Sequence, residues 1–129
     1  MSINKRKFFR IDLEHPLSTD ITIVKVRDQQ VVSKSARVAV DNIGPGGLKF
    51  ITNLDLPVTS NVALEFELEI VNQAVKLIGY TVRKKQLSTG EYEYGATFTI
   101  DDIKQAHLSK LCNDMLIRQR RKRVQTGNN

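Results

Sequence analysis

The chain has 129 residues, of which 40% are hydrophobic and 26% charged, and its formal net charge is +6. This composition excludes a disordered chain, suits one globular domain and favours an anionic partner such as phosphate, nucleotide, nucleic acid or acidic membrane. A single cysteine, Cys112, excludes an intramolecular disulfide, and with His15 and His107 it forms no zinc motif. Its apolar stretches are too short for a membrane span, so we expect a cytoplasmic protein.

The N-terminal segment is basic and contains Arg6-Lys7-Phe8-Phe9-Arg10. Arg6 and Arg10 are four residues apart, so they share a face whether the segment is extended or helical. Two guanidiniums placed in this way can offer paired donors to a phosphate or a guanine edge, and can stack on a purine. The alternative interpretation is a solvated basic terminus.

Downstream of this segment, short apolar stretches predict about six strands separated by turn signals. Alternation is clearest over residues 62–70, where apolar side chains share one face and three glutamates form a solvated outer face. Hairpin-length links between such strands predict a small antiparallel barrel or sandwich. The predicted strands are Ile21–Val26, Val31–Val40, Leu48–Thr52, Val62–Ile70, Val75–Lys84 and Tyr92–Ile100.

A glycine-rich stretch, Asp41–Leu48, lies between two of these strands. Pro45-Gly46 suits the centre of a type II turn, with the glycine at positive φ. Gly44 and Gly47 can expose backbone N–H groups to an anion, and the amide of Asn42 can bond to a base edge. The alternative interpretation is a turn with a structural role only.

The final third of the chain changes to helical periodicity. Asp101 or Asp102 can cap the helix, which we expect to pack over an opening or edge of the sheet. The predicted apolar stripe comprises Ile103, Leu108, Leu111, Cys112 and Met115.

Five of the six residues 118–123 are basic. We interpret them as a solvated helix end, because cations complement the helix dipole there. Alternatives are a patch for nucleic acid or acidic lipid, or an arm that supplements ligand binding. The predicted organisation is a domain over residues 1–117 and a flexible basic tail over 118–129.

These motifs, in this order, resemble the PilZ domain, a bacterial family with R-x-x-x-R near its N-terminus and [D/N]-x-S-x-x-G further along the chain. Arg6–Arg10 matches the first motif, and Asn42–Gly47 matches the second except at its serine. Gly47–Phe50, Leu77–Arg83 and Tyr94–Phe98 are similar to later strands of the family. The resemblance covers residues 5–116 and includes the closing helix.

The resemblance implies an all-β fold, a six-stranded antiparallel barrel of the split-barrel type with a C-terminal helix, which binds the second messenger cyclic di-GMP. By position, Arg6 and Arg10 would hold guanine edges and phosphates, Asn42 would bond to a guanine, and Gly44 and Gly47 would lie close to the ligand. Further candidate ligand contacts are Lys5, Lys7, Asp41 and Arg83. No catalytic arrangement, metal site or cofactor is predicted, so we expect a receptor and not an enzyme.

Position 44 holds glycine where the family has serine. Loss of a hydroxyl that bonds to a polar or charged ligand group costs about 1.5–3 kcal/mol, roughly ten- to a hundredfold in affinity. Closer approach of the glycine backbone would recover part of this loss. The sequence therefore predicts weakened binding, which Gly44→Ser would restore.

Three functions are consistent with the sequence. The first is a receptor, monomeric or homodimeric, that passes the cyclic di-GMP signal to an unidentified protein effector in motility, biofilm formation or virulence. The second is a PilZ-like interaction module that does not bind the nucleotide, for instance in pilus assembly. The third is a basic nucleic-acid-binding barrel, which is disfavoured because most of the aromatic residues follow strand-core patterns and leave no exposed stacking platform.

Overall fold

The computed structural model describes residues 9–31 and 33–127, with the backbone alone for residues 123–127. Seven strands and one helix lie in this part of the chain. They are β1 (Ile11–Val26), β2 (Gln29–Gln30), β3 (Ala36–Gly44), β4 (Gly47–Thr52), β5 (Val62–Ile70), β6 (Gln73–Gln86), β7 (Tyr92–Phe98) and α1 (Asp102–Gly127).

Within the described residues, the six longer strands form a closed antiparallel barrel. The strand order is β2-β1-β3-β4-β7-β6-β5, and β5 pairs back with β1. The two-residue strand β2 extends β1 as a short hairpin. Closure leaves none of the six longer strands with an unpaired long edge. The predicted all-β class and six-stranded antiparallel barrel with a C-terminal helix are confirmed.

Strand β1 begins ten residues before the predicted Ile21. Its first part pairs with β3 at Ile11 and Asp12, pairing stops, and it resumes at Leu17. Pro16 lies in this interruption and has no N–H to donate to a ladder. This interruption disrupts the alternation of apolar and polar residues, which is the pattern from which a strand is predicted. Strand β5, which has strict alternation, coincides with the predicted segment.

The turn between β3 and β4 differs from the predicted type II turn. Among the glycines that the structure describes, positive φ occurs at Gly90 and not at Gly46. The carbonyl of Gly46 accepts hydrogen bonds from the N–H of Phe98 at 3.0 Å and the hydroxyl of Thr97 at 3.3 Å. These bonds hold the turn against the end of β7.

Aromatic side chains fill the barrel. Phe50, Phe66 and Tyr94 are fully buried, and Phe50 stacks on Tyr94 with ring centroids 5.1 Å apart. The Tyr94 hydroxyl donates to the carbonyl of Leu54 at 2.6 Å and accepts from the N–H of Leu56 at 2.7 Å. Each buried aromatic side chain contributes about 1.5–3 kcal/mol, and Tyr94 also fixes the β4–β5 connection.

Helix α1 packs on the barrel through Leu108, Leu111 and Cys112, which are at most 2% exposed. Its cap is Asp101, whose carboxylate accepts from the N–H of Lys104 at 2.8 Å. The prediction for Ile103 is wrong: its side chain is 84% exposed. At 100° per residue, position 103 lies on the opposite face from position 112.

Burial of Cys112 raises the pKa of its thiol to about 12, so this cysteine has a packing role. The helix continues to Gly127, and the predicted domain limit at residue 117 therefore falls inside an element. Among the residues described, no helix has the length and apolar character that crossing a membrane requires.

Candidate functional site

One cross-strand row on the outer face of the barrel carries two of the predicted ligand contacts, Asn42 and Arg83. Asp12 pairs with Asn42, Asn42 with Lys49, Lys49 with Gly95, and Gly95 with Arg83. These five residues lie on the neighbouring strands β1, β3, β4, β7 and β6, and we call them the polar row. With strands about 4.8 Å apart, the row is roughly 19 Å long.

At one end of the polar row, three side chains form a hydrogen-bonded chain. Asn42, 8% exposed, accepts from the Arg10 guanidinium through Oδ1 at 2.9 Å. Its Nδ2 donates to Asp12 Oδ1 at 2.7 Å. An ionised carboxylate can only accept, so Asp12 directs the amide nitrogen towards itself and the amide oxygen towards Arg10.

Phe9 and Arg10 lie in close contact with the two glycines of the β3–β4 turn. A Cβ placed on Gly44 would lie 2.0 Å from the Phe9 carbonyl oxygen and 3.2 Å from Arg10 Cδ. A Cβ placed on Gly47 would lie 2.2 Å from the Ala96 carbonyl oxygen and 3.1 Å from Arg10 Nη2. The Arg10 side chain therefore lies across both glycines, and a larger residue at either position requires the backbone to move.

The polar row also has acidic neighbours. Asp41 occupies the irregularity in β3 just before Asn42, and its Oδ1 is buried without a hydrogen-bond partner among the described residues. Burial raises the pKa of Asp41; Glu93 and Asp12 act in the same direction, while Lys49 opposes them. Lys49 Nζ lies 3.9 Å from a Glu93 carboxylate oxygen. An anion at this face would meet cations and carboxylates together.

Arg83 lies at the other end of the polar row. Its guanidinium covers Gly95, where an added Cβ would lie 3.0 Å from Nε and Nη2. Lys49 and Gly95 separate it from Asn42 along the row. The structure thus brings Arg10, Asn42 and the glycines of the turn together, with Arg83 on the same face further away.

The basic residues Lys5, Arg6 and Lys7 lie outside the described residues. Their predicted contacts with the ligand, and the convergence of Arg6 with Arg10, remain predictions. In the part of the chain that the structure describes, no cluster of three or more His, Cys, Asp or Glu side chains is placed to hold a metal ion.

Sequence reasoning missed Asp12 and Gln119. The Gln119 side chain donates from Nε2 to the Asp12 carbonyl at 3.0 Å and accepts from the N–H of Glu14 at 3.4 Å. Asp12 could have been found, because residues two apart on a strand share a face and Arg10 was already a candidate. Gln119 is 107 positions from Asp12, and no local pattern signals that contact.

A model of the PilZ domain family matches residues 4–114. The chain belongs to the PilZ domain family. Among solved structures, its fold is similar to the PilZ domain of YcgR from Escherichia coli with c-di-GMP (TM-score 0.64, 13% identity, covering 94% of this chain and 98% of that one). It is also similar to the MrkH–c-di-GMP complex of K. pneumonia (TM-score 0.68, 14% identity, covering 93% and 56%).

A further PilZ-fold neighbour is the Bacillus subtilis inhibitor of motility MotI (TM-score 0.64, 16% identity, covering 92% of this chain and 54% of that one). The chain therefore spans about half the length of MotI and of MrkH. A comparison with curated proteins gave no match. The resemblance to the PilZ family predicted from the sequence is confirmed, and the structural likeness at these identities supports the shared fold.

Proposed function

We propose that this PilZ domain is a receptor for cyclic di-GMP, not an enzyme, and that it passes the signal to a protein partner in motility, biofilm formation or virulence. The observation that carries the proposal is the juxtaposition of Arg10, Asn42 and the Gly44–Gly47 turn. Family membership supports it, and so do the similar folds of YcgR and MrkH, which were solved with c-di-GMP.

The chemistry of the ligand suits these groups. Cyclic di-GMP carries two phosphates and two guanines, and the fork of an arginine matches both the phosphate oxygens and the O6/N7 edge of guanine. Asn42 retains a second N–H and a second lone pair for a base edge. Arg6 would supply the second guanidinium, and Lys5 and Lys7 would add positive charge.

The remaining candidates flank this centre. Asp41 lies beside Asn42 and offers a carboxylate to the N–H donors of a guanine. Arg83 would contact the ligand only if the ligand extends along the polar row past Lys49 and Gly95. We therefore expect Arg83→Ala to weaken binding less than Arg10→Ala does.

Calorimetric titration of cyclic di-GMP into the purified protein tests the proposal. We expect micromolar or tighter binding. Arg6→Ala and Arg10→Ala should each weaken it roughly tenfold or more, since a good bidentate arginine contact is worth about 1–3 kcal/mol. Arg37→Ala is the matched control, because Arg37 is also near β1 but bonds to Asp20 at 2.7 Å. Absence of heat from the wild type at millimolar ligand would overturn the proposal.

A second candidate function is an interaction module that does not bind the nucleotide. The observation that favours it is the Arg10–Asn42 hydrogen bond. Asn42 is predicted to bond to the ligand, but its amide oxygen here accepts from a side chain of the protein itself. Binding of a protein partner with equal affinity in the presence and absence of cyclic di-GMP would support this alternative over the receptor.

A further inference from the structure

We infer that a groove at the Arg83 end of the polar row is the docking site for an acidic segment of a protein partner. The groove has a volume of about 660 Å³ and lies between the β4–β5 connection and strands β6 and β7. The inference rests on the proposed function in one respect, which is that the signal passes to a protein. We call it the valine groove, and the lining side chains that carry the inference are Lys49, Val58, Val82, Arg83, Lys85 and Glu93.

A β-bulge in β6 turns an apolar side chain towards the valine groove. Thr81 pairs with Ala96, and the next pair along the two strands is Arg83 with Gly95. Val82 is the additional residue of the bulge, and its side chain is 46% exposed. A bulge re-aims the side chains beside it. Two consecutive residues, the apolar Val82 and the cationic Arg83, therefore both line the groove.

The second apolar side chain of the valine groove, Val58, is held in place by its neighbours in the β4–β5 connection. The buried hydroxyl of Thr81 donates to the carbonyl of Pro57 at 2.7 Å, and Lys84 Nζ donates to the carbonyl of Leu56 at 3.2 Å. These bonds fix the backbone just before Val58, whose side chain is 45% exposed. Because both valines have fixed positions before a partner arrives, binding there costs little conformational entropy.

Positive charge accompanies the two valines. Arg83 and Lys85 are exposed, and neither forms an ion pair with another of the described residues. Lys49 lies 3.9 Å from Glu93, which is the carboxylate among the described residues that line the groove. The cations therefore outnumber the carboxylate, and the charge of the groove complements an acidic partner.

The chemistry of the valine groove favours an acidic peptide over a nucleic acid. Single-stranded nucleic acid is held by open aromatic faces on which its bases stack. Tyr92 and Tyr94, on the neighbouring strand β7, offer no such face, because Lys84 Nζ lies over their rings at 4.6 Å and 5.7 Å from the centroids. A peptide that carries an aliphatic side chain between carboxylates would match both the valines and the cations.

Selection from a random peptide library displayed on phage tests which chemistry the protein binds. The purified full chain, free of cyclic di-GMP, is the target. We expect the enriched peptides to carry an aliphatic residue flanked by Asp or Glu. Enrichment of basic or aromatic peptides contradicts the inference, and so does failure to enrich any peptide. Binding to phosphatidylglycerol vesicles that Lys85→Glu abolishes, without an enriched peptide, would assign the groove to a membrane instead.

Substitutions then locate the binding of the best acidic peptide, measured by fluorescence anisotropy. We expect Val82→Asp and Lys85→Glu each to weaken binding about fivefold or more, because the first replaces an apolar contact by a carboxylate and the second reverses a charge. Val26→Asp and Lys76→Glu are the matched controls and should bind as the wild type does. Val26 is 40% exposed, Lys76 is an exposed lysine of β6, and neither lines the groove.

Two further results decide the assignment. Equal losses in a substitution and its control would place the peptide elsewhere and overturn the docking site; if Val82→Asp fails to fold, unchanged binding by Lys85→Glu does the same. Titration of cyclic di-GMP into the wild type separates this inference from the proposed function. If the acidic peptide binds and cyclic di-GMP does not, the docking site stands and the receptor fails, whereas the reverse result leaves the receptor and removes the docking site.

Discussion

At the scale of single residues, the orientation of Asn42 depends on Asp12. The carboxylate of Asp12 accepts from the amide nitrogen at 2.7 Å and leaves the amide oxygen towards Arg10. Without it, both orientations of the amide become accessible, and a partly buried N–H loses its acceptor.

We predict that Asp12→Ala weakens cyclic di-GMP binding about three- to tenfold, the equivalent of one lost hydrogen bond. Asp20→Ala is the control, since Asp20 lies on the same strand and its carboxylate accepts from Arg37 at 2.7 Å. Calorimetry measures both variants. Equal affinities of the two variants would contradict a positioning role for Asp12.

Asp41 makes the stability of the folded protein depend on pH. Burial, with help from Glu93 and Asp12 and against Lys49, raises its pKa above the ordinary value of 3.8. The folded protein then binds the proton more tightly than the unfolded chain. The stabilisation that this tighter proton binding provides is complete at pH values below the ordinary pKa of 3.8. It is lost as the pH rises through the pKa of Asp41 in the folded protein.

We predict that Asp41→Asn is more stable than the wild type at neutral pH, because it removes a poorly solvated charge. The difference should narrow as the pH falls towards 4, where the wild-type carboxyl takes up its proton. Urea unfolding at several pH values measures this. A constant difference across the range would show that the charge of Asp41 does not matter.

At the scale of elements, the side chain of Gln119 connects helix α1 to the start of β1. Gln119 bonds to the Asp12 carbonyl and to the N–H of Glu14, at the point where the pairing of β1 with β3 stops. It supplies hydrogen bonds that a neighbouring strand would otherwise provide.

We expect Gln119→Ala to lower the free energy of unfolding by only about 0.5 kcal/mol, because these hydrogen bonds are exposed. Amide exchange at Glu14 should nevertheless become several-fold faster. Lys110→Ala, an exposed substitution on the same helix, should change neither quantity. Unaltered exchange at Glu14 in Gln119→Ala would mean that the helix does not restrain this stretch.

The elements also show what the sequence could predict. Strand β5 follows from its alternation, and the barrel follows from the number and spacing of such strands. The position of the Asn42–Gly47 turn follows from its motif, but the φ of Gly46 depends on bonds from β7. The contacts of Asp12 and Gln119 join residues 30 and 107 positions apart, and such pairings are decided by barrel closure and not by local pattern.

At the scale of the whole molecule, the net positive charge should attract an anionic ligand by long-range electrostatics. The formal net charge is +6, and the predicted ligand carries two negative phosphates. Arg10, Lys49 and Arg83 bring positive charge to one face, although Asp41 and Glu93 reduce the local potential.

We predict that the affinity for cyclic di-GMP falls about threefold or more between roughly 0.1 M and 1 M salt, because the screening length shortens from about 10 Å to about 3 Å. The Arg10→Ala variant should show a shallower dependence. Calorimetry across a salt series provides the measurement. An affinity independent of salt would indicate that contacts other than charge dominate.

Because the pairing of β1 with β3 is interrupted after Asp12, the first part of β1 can move while the barrel stays closed. Before the interruption, only Ile11 and Asp12 pair with β3, whereas the stretch from Leu17 onwards pairs with β3, β5 or both. Detachment of the first part therefore breaks two pairs and leaves the ring of strands intact. The apolar side chains that such a detachment uncovers are those of Ile11 and Leu13, which pack against the core, whereas the aromatic side chains that fill the barrel stay covered. The protein therefore limits the aggregation that more extensive partial unfolding brings.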